Sequence, residues 1–181
     1  MSRWTSLQLK LRQARADPGT VDHRQPILHV DIARQCISRV TPGAESDRTY
    51  PVSTSRHGTG EQRDSYQTPR GLHRVAQKIG AGEPPGRVFK SRQPTEQVCL
   101  AEQYSGEGDV ITSRILWLEG LEPGLNAGGE VDSHERYIYI HGTPDEARLG
   151  QPASIGCIRM RDQDVIELFD QVDVGQLVYV E

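Results

Sequence analysis

The chain has 181 residues, enough to bury one substantial core but too few for a second full domain. Its formal net charge of -4 provides no basic surface for phosphates, so we expect no nucleic-acid partner. The hydrophobic fraction is 35%, and no run approaches the roughly 20 apolar residues of a membrane-spanning helix. The sequence therefore predicts a single domain with no membrane span.

Residues 1–24 differ in character from the rest of the chain. They carry mixed charge without a sustained apolar period, and they include the turn-forming pair Pro18 and Gly19. We expect a poorly packed N-terminal arm over 1–24 and one folded domain over 25–181.

Alternation of apolar and polar residues predicts strands through most of this domain. Leu28, Val30 and Ile32 alternate with polar neighbours, and the next strand along the chain is a suitable hairpin partner. The segments with strand character are 26–32, 36–40, 48–54, 71–79, 110–118, 136–141 and 176–180. The run at 110–118 is apolar almost throughout, which suits a central strand covered on both faces.

One helix is predicted late in the chain. Asp162 is a suitable N-cap, and the apolar residues after it recur at the spacing of one helical face: Val165, Ile166, Leu168, Phe169 and Val172. Many strands separated by turns, with a single late helix, indicate a mainly β fold, either a barrel or a curled sandwich.

The longest connection is 55–70, which is polar, contains glycine and has no apolar period. At about 16 residues it exceeds the usual length of a loop in a compact domain. We therefore expect a lid that faces a substrate.

Candidate chemistry lies at the end of the strand 136–141. Alternation places the two isoleucines of this strand toward the core and assigns the other face to Tyr137, Tyr139 and His141. Cys157 follows His141 by 16 positions. Acyl transfer through sulfur requires a thiolate, and a nearby imidazole both lowers the thiol pKa and moves its proton.

Three further features support Cys157 as a nucleophile with His141 as its base. The helix predicted from Asp162 begins shortly after the cysteine, and a helix N-terminus lowers a thiol pKa further. Gly156 lets the chain turn sharply and lets a substrate carbonyl approach the main chain. The N–H groups around Gly156 and Cys157 are candidates for an oxyanion hole.

Four segments resemble the L,D-transpeptidase family. Residues 141–143 (HGT) and 154–160 (SIGCIRM), with the spacer between them, resemble its catalytic signature. Residues 50–54 (YPVST) resemble the family's strand with a Val-Ser-Thr ending, and 68–71 (TPRG) resemble its Thr-Pro-x-Gly turn. The likeness extends over about 25–180 and implies a curled β-sandwich or barrel of the L,D-transpeptidase catalytic type.

The resemblance implies a reaction on the stem tetrapeptides of peptidoglycan. Cys157 attacks the bond between the L-centre of a diamino acid and the terminal D-alanine, and an amine of a second stem resolves the thioester as a 3-3 crosslink. Some relatives attach a lipoprotein, exchange D-amino acids or let water resolve the thioester, so the acceptor stays open. The resemblance implies no cofactor.

Site roles follow from the same resemblance. Cys157 is the nucleophile, and His141 is first the base and then the acid. Gly156 and Gly142 belong to the oxyanion and backbone part of the site. Arg159 is assigned to a substrate carboxylate or to the ordering of a loop.

Ser154 and Tyr139 are further candidates for substrate contact. The alternative for Ser154 is a turn hydroxyl that bonds to the local backbone. The alternative for Tyr139 is that its ring only covers the sheet. The alternative for Arg159 is that it is a solvated cation on the surface.

Two positions depart from the family pattern. Many members have histidine where this chain has Ile155, which weakens the inference about substrate more than the inference about catalysis. Many also have serine where this chain has Gly142, so we expect a backbone carbonyl to orient His141 if a third group does so.

Other function classes remain as alternatives. An L,D-carboxypeptidase uses the same site and differs only in letting water resolve the thioester. In a papain-like protease the catalytic cysteine precedes the histidine along the chain, which is the reverse of the order here. A non-catalytic peptidoglycan-binding module is disfavoured because both Cys157 and His141 are retained.

No metal site is predicted. His57, His73 and His134 share no zinc-type spacing with the histidine of the signature. We expect His23 and His29 to face solvent.

The cysteine count is odd, so at least one thiol must be free. Cys36 and Cys99 are either a disulfide or two half-buried thiols, and we favour the thiols because sequence alone does not provide the geometry of a bridge.

Peptidoglycan lies outside the cytoplasmic membrane, so we expect a periplasmic or cell-envelope location. The first twenty residues lack the apolar segment and cleavage site of a secretory signal peptide. Either a signal has been removed or the export route is not visible in the sequence. The expected partners are peptidoglycan stem peptides, and the chain is expected to act as a monomer.

Overall fold

The computed structural model describes residues 3–14, 16, 19, 21–22, 24–44, 47–106 and 108–181. The α-helices in these residues are α1 (Arg3–Leu11) and α2 (Asp162–Gln171). The strands are β1 (Ile27–Asp31), β2 (Cys36–Val40), β3 (Arg48–Ser53), β4 (Gly71–Ile79), β5 (Arg87–Lys90), β6 (Gln93–Val98), β7 (Ile111–Gly120), β8 (Tyr139–Thr143), β9 (Ile158–Arg161) and β10 (Leu177–Val180).

The sheet closes on itself. Its order is β4-β10-β1-β2-β3-β9-β8-β7, and β4 pairs with β7 as well as with β10, which completes a barrel. The hairpin of β5 and β6 extends the sheet outward from β7. The predicted mainly β barrel or curled sandwich is therefore confirmed.

The central strand β7 is covered on both faces, as its apolar sequence predicted. Leu116 and Leu118 belong to the main core, whereas Ile115 and Trp117 belong to a second apolar cluster. Helix α2 packs against β7, β8 and β9 and adds its own apolar residues to the main core. The core is thus shared between the barrel strands and one helix.

Helix α2 is present where the sequence predicted it, but Asp162 is not its N-cap. Arg161 holds that position without a side-chain hydrogen bond to the helix, and Asp162 is the first helical residue. The Asp162 carboxylate accepts a hydrogen bond from Thr112 Oγ1 at 2.6 Å. The four residues of β9, spanning about 13 Å, separate Cys157 from the start of the helix.

Helix α1 was not predicted, and the expected single helix is therefore a correction. Leu7 and Leu11 are buried against the outside of the barrel, so the arm is packed along this helix. The exposed Leu9, which lies between these leucines on another face, obscured a helical spacing that covers only about two turns. Pro18 lies outside the described residues, and the domain boundary at residue 25 stays a prediction.

The hairpin of β5 and β6 also had no counterpart in the sequence prediction. Strand β6 contains Pro94 and is exposed along most of its length, as an edge strand is, so it shows no apolar alternation. The turn at Ser91 and Arg92 has positive φ angles of 47° and 68° without any glycine. Tyr137 also has a positive φ angle, 56°. Strand β8 begins after it, at Tyr139, three residues later than predicted.

The other predicted strands are confirmed, with ends shifted by no more than two residues. Within the part of the chain that the structure describes, neither helix has the length and apolar character needed to cross a bilayer.

Leu7→Ala should lower the free energy of unfolding by roughly 2–4 kcal/mol, because Leu7 packs against Ile27, Val40 and Leu72. Leu9→Ala is the control: Leu9 is on the same helix but 50% exposed, so the change should stay under about 0.5 kcal/mol. Urea unfolding followed by circular dichroism measures both. Equally small effects would mean that α1 is not docked on the barrel in solution.

Candidate active site

Parallel pairing of β8 and β9 brings the predicted catalytic residues together. Ile140 is level with Ile158, so Cys157, one residue before β9, lies beside Tyr139. Alternate residues of a strand share a face, which puts His141 on the same side as Tyr139. Cys157 packs into the apolar cluster that contains Tyr139. The thiol and the imidazole therefore lie on one side of two adjacent strands.

Two backbone groups hold the sulfur of the half-buried Cys157. The N–H of Tyr139 donates to Sγ, and Sγ donates to the carbonyl of Tyr137, both at 3.4 Å. Burial raises the pKa of the Cys157 thiol to about 12, although the Tyr139 N–H and the nearby Arg136 and Arg159 favour the thiolate. The expected lowering of the thiol pKa is therefore wrong for the free protein.

His141 is fully buried, and its ring is oriented by the main chain. Nδ1 lies 2.7 Å from the carbonyl oxygen of Gly142, which can only accept, so Nδ1 carries the proton. This confirms the prediction that a backbone carbonyl orients the ring. Burial lowers the pKa of His141, while Asp109 opposes that effect. Nε2 has no hydrogen-bond partner in the described chain, which leaves its lone pair available.

Gly142 has a steric reason to be glycine. A Cβ at this position would lie 2.6 Å from the backbone oxygen of Thr112 and would also meet the Asp162 carboxylate. Real side chains do not make such contacts, and a backbone oxygen within a strand cannot move cheaply. A serine therefore cannot replace Gly142 in this barrel without rearrangement.

The turn before Cys157 is held by side-chain hydroxyl groups. Ser154 Oγ donates to the Cys157 carbonyl at 2.6 Å and accepts from the Gly156 N–H at 3.2 Å. Thr68 Oγ1 donates to the Gly156 carbonyl at 2.9 Å. Gly156 has a φ of 132°, a backbone conformation that favours glycine. Ser154 is fully buried in this turn, so the structure favours the turn-hydroxyl alternative over substrate contact.

Arg159 is a buried cation with two carboxylate partners. Its guanidinium lies 3.2 Å from Asp145 and 3.4 Å from Asp109, and it donates to Ser53 Oγ at 3.1 Å. Only 1% of the residue is exposed. These contacts join β9 to β3 and to the segments around both carboxylates, so the structure favours loop ordering over a substrate carboxylate.

Tyr139 lies on the predicted face but is buried. Its ring packs edge-on against Trp117 with centroids 5.7 Å apart, and its hydroxyl accepts a hydrogen bond from Arg92 at 3.2 Å. The ring therefore covers the sheet beneath the thiol, while its backbone N–H makes the contact with the sulfur.

Sequence reasoning missed Arg136. This half-buried residue donates to four acceptors in the loop 55–70, the lid candidate: the carbonyls of Gly60, Glu61 and Gln67 and the hydroxyl of Ser65. Arg136 therefore fixes the loop close to Cys157. The only signal in the sequence was one charged residue at the start of an otherwise apolar strand.

The remaining histidines do not assemble around His141. His73 is fully buried, with hydrogen bonds to Ser133 Oγ and the Gly71 carbonyl, and burial lowers its pKa to about 4. His29 is buried and pairs with Glu181 rather than facing solvent, which corrects the prediction.

His23 lies outside the described residues. His57 is exposed, and His134 stacks on Trp117 with centroids 4.0 Å apart. No cluster of metal-binding side chains occurs among the residues that the structure describes. Cys36 and Cys99 are both free and half-buried, as expected.

Known protein families and solved structures resemble this domain. The model of the YkuD family, described as the L,D-transpeptidase catalytic domain, matches residues 25–180. The chain belongs to this family. The resemblance inferred from the sequence is therefore confirmed.

Curated relatives include the probable L,D-transpeptidase YcfS of Escherichia coli, 26% identical over 83% of this chain and 42% of that protein. The putative L,D-transpeptidase YkuD of Bacillus subtilis is 30% identical over 52% of this chain and 54% of that protein. This family member thus spans about half the length of these relatives. An L,D-transpeptidase from Mycobacterium smegmatis has the same fold, with a TM-score of 0.54 at 19% identity, over 87% of this chain and 58% of that one.

Alkylation of Cys157 by iodoacetamide should accelerate steadily from pH 7 to about pH 10 without a plateau, because burial raises the pKa of the thiol to about 12. Peptide-resolved mass spectrometry gives the rate at this cysteine. The same peptide in urea is the control, and there the rate should level off above about pH 8.5. A plateau below pH 9 in the folded protein would contradict the raised pKa.

Proposed function

We propose that this domain is a cysteine-dependent L,D-transpeptidase that acts on peptidoglycan stem tetrapeptides. The pairing of β8 with β9 is the observation that supports this most, because it places the Cys157 thiol and an oriented His141 on one side of adjacent strands. The free lone pair on His141 Nε2 is what a general base requires.

In the first half-reaction, His141 Nε2 takes the thiol proton while the sulfur of Cys157 attacks the carbonyl carbon of the diamino acid. The resulting tetrahedral intermediate carries an oxyanion. The C–N bond to D-alanine then breaks, and His141 returns the proton to the leaving amine. The products are a thioester on Cys157 and free D-alanine.

The oxyanion is assigned to the N–H of Cys157. The N–H of Gly156 already donates to Ser154 Oγ, so this donor is not free to bind the substrate. One backbone donor contributes roughly 3–4 kcal/mol to such a transition state. Gly142 belongs to the backbone part of the site, because its carbonyl orients His141.

The free site is a neutral pair, since burial disfavours charge on both the thiol and the imidazole. Ionisation of Cys157 is therefore coupled to substrate binding, when the sulfur leaves the carbonyl of Tyr137 and approaches its target. Arg136 and Arg159 stabilise the negative charge that develops on the sulfur. Such coupling limits reaction of the thiol with other electrophiles.

In the second half-reaction, an amine of another stem or of a free D-amino acid attacks the thioester. His141 removes its proton, and the thiol is restored. With water as the acceptor the same site is an L,D-carboxypeptidase. The substrate implies a periplasmic or cell-envelope location, and one copy of the chain contains every group used, which is consistent with a monomer.

We expect the purified protein to release D-alanine from a disaccharide-tetrapeptide and to incorporate an added D-amino acid, as measured by product masses. Cys157→Ala should abolish both products and the thioester adduct. Cys36→Ala is the control, because it removes a cysteine outside the site and should retain activity.

Two other outcomes would change the proposal. Tripeptide as the sole product would identify an L,D-carboxypeptidase. A folded protein that gives neither product nor an adduct at Cys157 would instead be a peptidoglycan-binding module.

A further inference from the structure

Arg92 lies at the tip of the hairpin formed by β5 and β6, and no step described above uses it. The turn consists of Ser91 and Arg92, and both residues have positive φ angles. Such turns favour glycine and asparagine, so the backbone of this arginine is strained. Strained residues occur preferentially at active sites and ligand clamps. The turn itself therefore gives no reason for an arginine at this position.

The guanidinium of Arg92 is next to the residues that hold the reacting thiol. Nη1 donates to the hydroxyl of Tyr139, whose backbone N–H donates to the Cys157 sulfur. The guanidinium carbon lies 4.9 Å from the ring centre of Tyr137, whose carbonyl accepts from the same sulfur. It also lies 4.7 Å from the ring of Trp117, which belongs to the apolar cluster into which Cys157 packs. Arg92 is thus one residue away from the thiol by way of either tyrosine.

The positive charge of Arg92 has no acidic partner among the residues that the structure describes. The hydroxyl of Tyr139 is the one acceptor of its side chain there. A guanidinium has several N–H groups in its plane, so most of them are without an acceptor in the described chain. The rings of Tyr137 and Trp117 contact the face of the guanidinium, whereas a carboxylate binds at its edge. Arg92 is therefore oriented with N–H groups available to an anion.

Arg87, on the same hairpin, shows the contrasting arrangement. It pairs with Glu83 at 2.8 Å and donates to the carbonyl of Thr95 in β6 at 2.9 Å. These contacts neutralise its charge and join the two strands. An arginine that only stabilises the hairpin is thus already present, and Arg92 does not repeat its pattern.

Both half-reactions pass an amine nitrogen through the same position beside the thiol. D-alanine leaves through a tetrahedral intermediate, and an acceptor amine enters by the reverse of that step. Its nitrogen bonds to the thioester carbon, the C–S bond breaks, and the amine proton passes through His141 to the sulfur. The carboxylate of D-alanine is only two bonds from the leaving nitrogen. A cation that binds this carboxylate is therefore also in place for the same group on an incoming amine.

We propose that Arg92 binds the carboxylate next to the reacting nitrogen, on the departing D-alanine and on the acceptor alike. The inference rests on the proposed function, because it assigns one binding residue to both substrates of that reaction. It selects among the open acceptors: a D-amino acid or the D-centre of a second stem's diamino acid has the required carboxylate. A lysine side-chain amine and water lack it and are disfavoured.

Acceptors that differ only at this carboxylate test the assignment. The purified protein receives a disaccharide-tetrapeptide donor with either D-methionine or D-methioninamide, and product masses give the rates. The wild type should favour D-methionine by about 10- to 100-fold in kcat/KM, mainly through KM, as expected for one charge-assisted hydrogen bond. Nα-acetyllysine amide, which offers only a side-chain amine, should be as poor an acceptor as D-methioninamide.

A second comparison needs no acceptor. Acylation of Cys157 is followed by intact-protein mass spectrometry with two tetrapeptide donors, one with a free terminal carboxylate and one with that carboxylate amidated. The wild type should acylate faster with the free carboxylate, by a factor similar to the acceptor preference. This comparison tests Arg92 even if water is the only acceptor.

Variants separate binding of the carboxylate from support of the hairpin. Arg92→Gln should reduce both preferences to below about threefold, whereas Arg92→Lys should retain part of each because the charge remains. Each preference is a ratio within one variant, so a fraction of misfolded protein does not change it. Lys90→Gln is the control, because it removes the charge of an exposed residue beside the same turn. It should leave both preferences unchanged.

Equal rates with the free and amidated compounds in the wild type, or unchanged preferences in Arg92→Gln, would overturn the role of Arg92 while leaving the transpeptidase proposal intact. Absence of any Cys157 adduct with either donor would instead count against the proposed function itself.

Discussion

The parallel ladder between β8 and β9 holds the site together. It sets Ile140 level with Ile158, and from this register follow the placement of Cys157 beside Tyr139 and of Arg159 beside His141. A shift of one residue would turn every side chain of β9 to the opposite face. The barrel, α2 and the apolar cores on both faces serve to fix this register, since both strands are almost wholly buried.

Burying the reactive groups has an electrostatic cost. A thiol and an imidazole in an apolar layer are both driven toward their neutral forms, which is opposite to what a nucleophilic cysteine requires in the reacting state. Oriented hydrogen bonds and nearby positive charges counteract this effect of burial. The carbonyl of Gly142 fixes the tautomer of His141, and two arginines act on Cys157 without touching it.

Arg136 and Arg159 have different roles near Cys157. Arg159 is neutralised by Asp109 and Asp145, so its contacts organise the strands and loops around the thiol. Arg136 bonds only to uncharged oxygens of the loop 55–70, so its contacts hold that loop without pairing its charge to a carboxylate of the described residues. The same side chain thus anchors the lid candidate and brings a positive charge near Cys157.

Local patterns in the sequence determined much of this protein. Period-two alternation marked most barrel strands, one-face spacing marked α2, and the motif around His141 and Cys157 marked the family. These features depend on neighbours along the chain, so they can be read without coordinates. Edge strand β6 lacks such a pattern, because an exposed edge needs no apolar alternation. In the short helix α1, the exposed Leu9 obscures the one-face spacing of Leu7 and Leu11.

Only the tertiary structure decided the electrostatics and the roles of single polar groups. Whether Arg159 binds a ligand or orders loops depends on Asp109 and Asp145, which are remote from it in sequence. The thiol pKa depends on burial by residues from several strands, and the importance of Arg136 depends on a loop about 70 positions earlier. Desolvation and charge pairing are set by distances in space, which the order of residues alone does not contain.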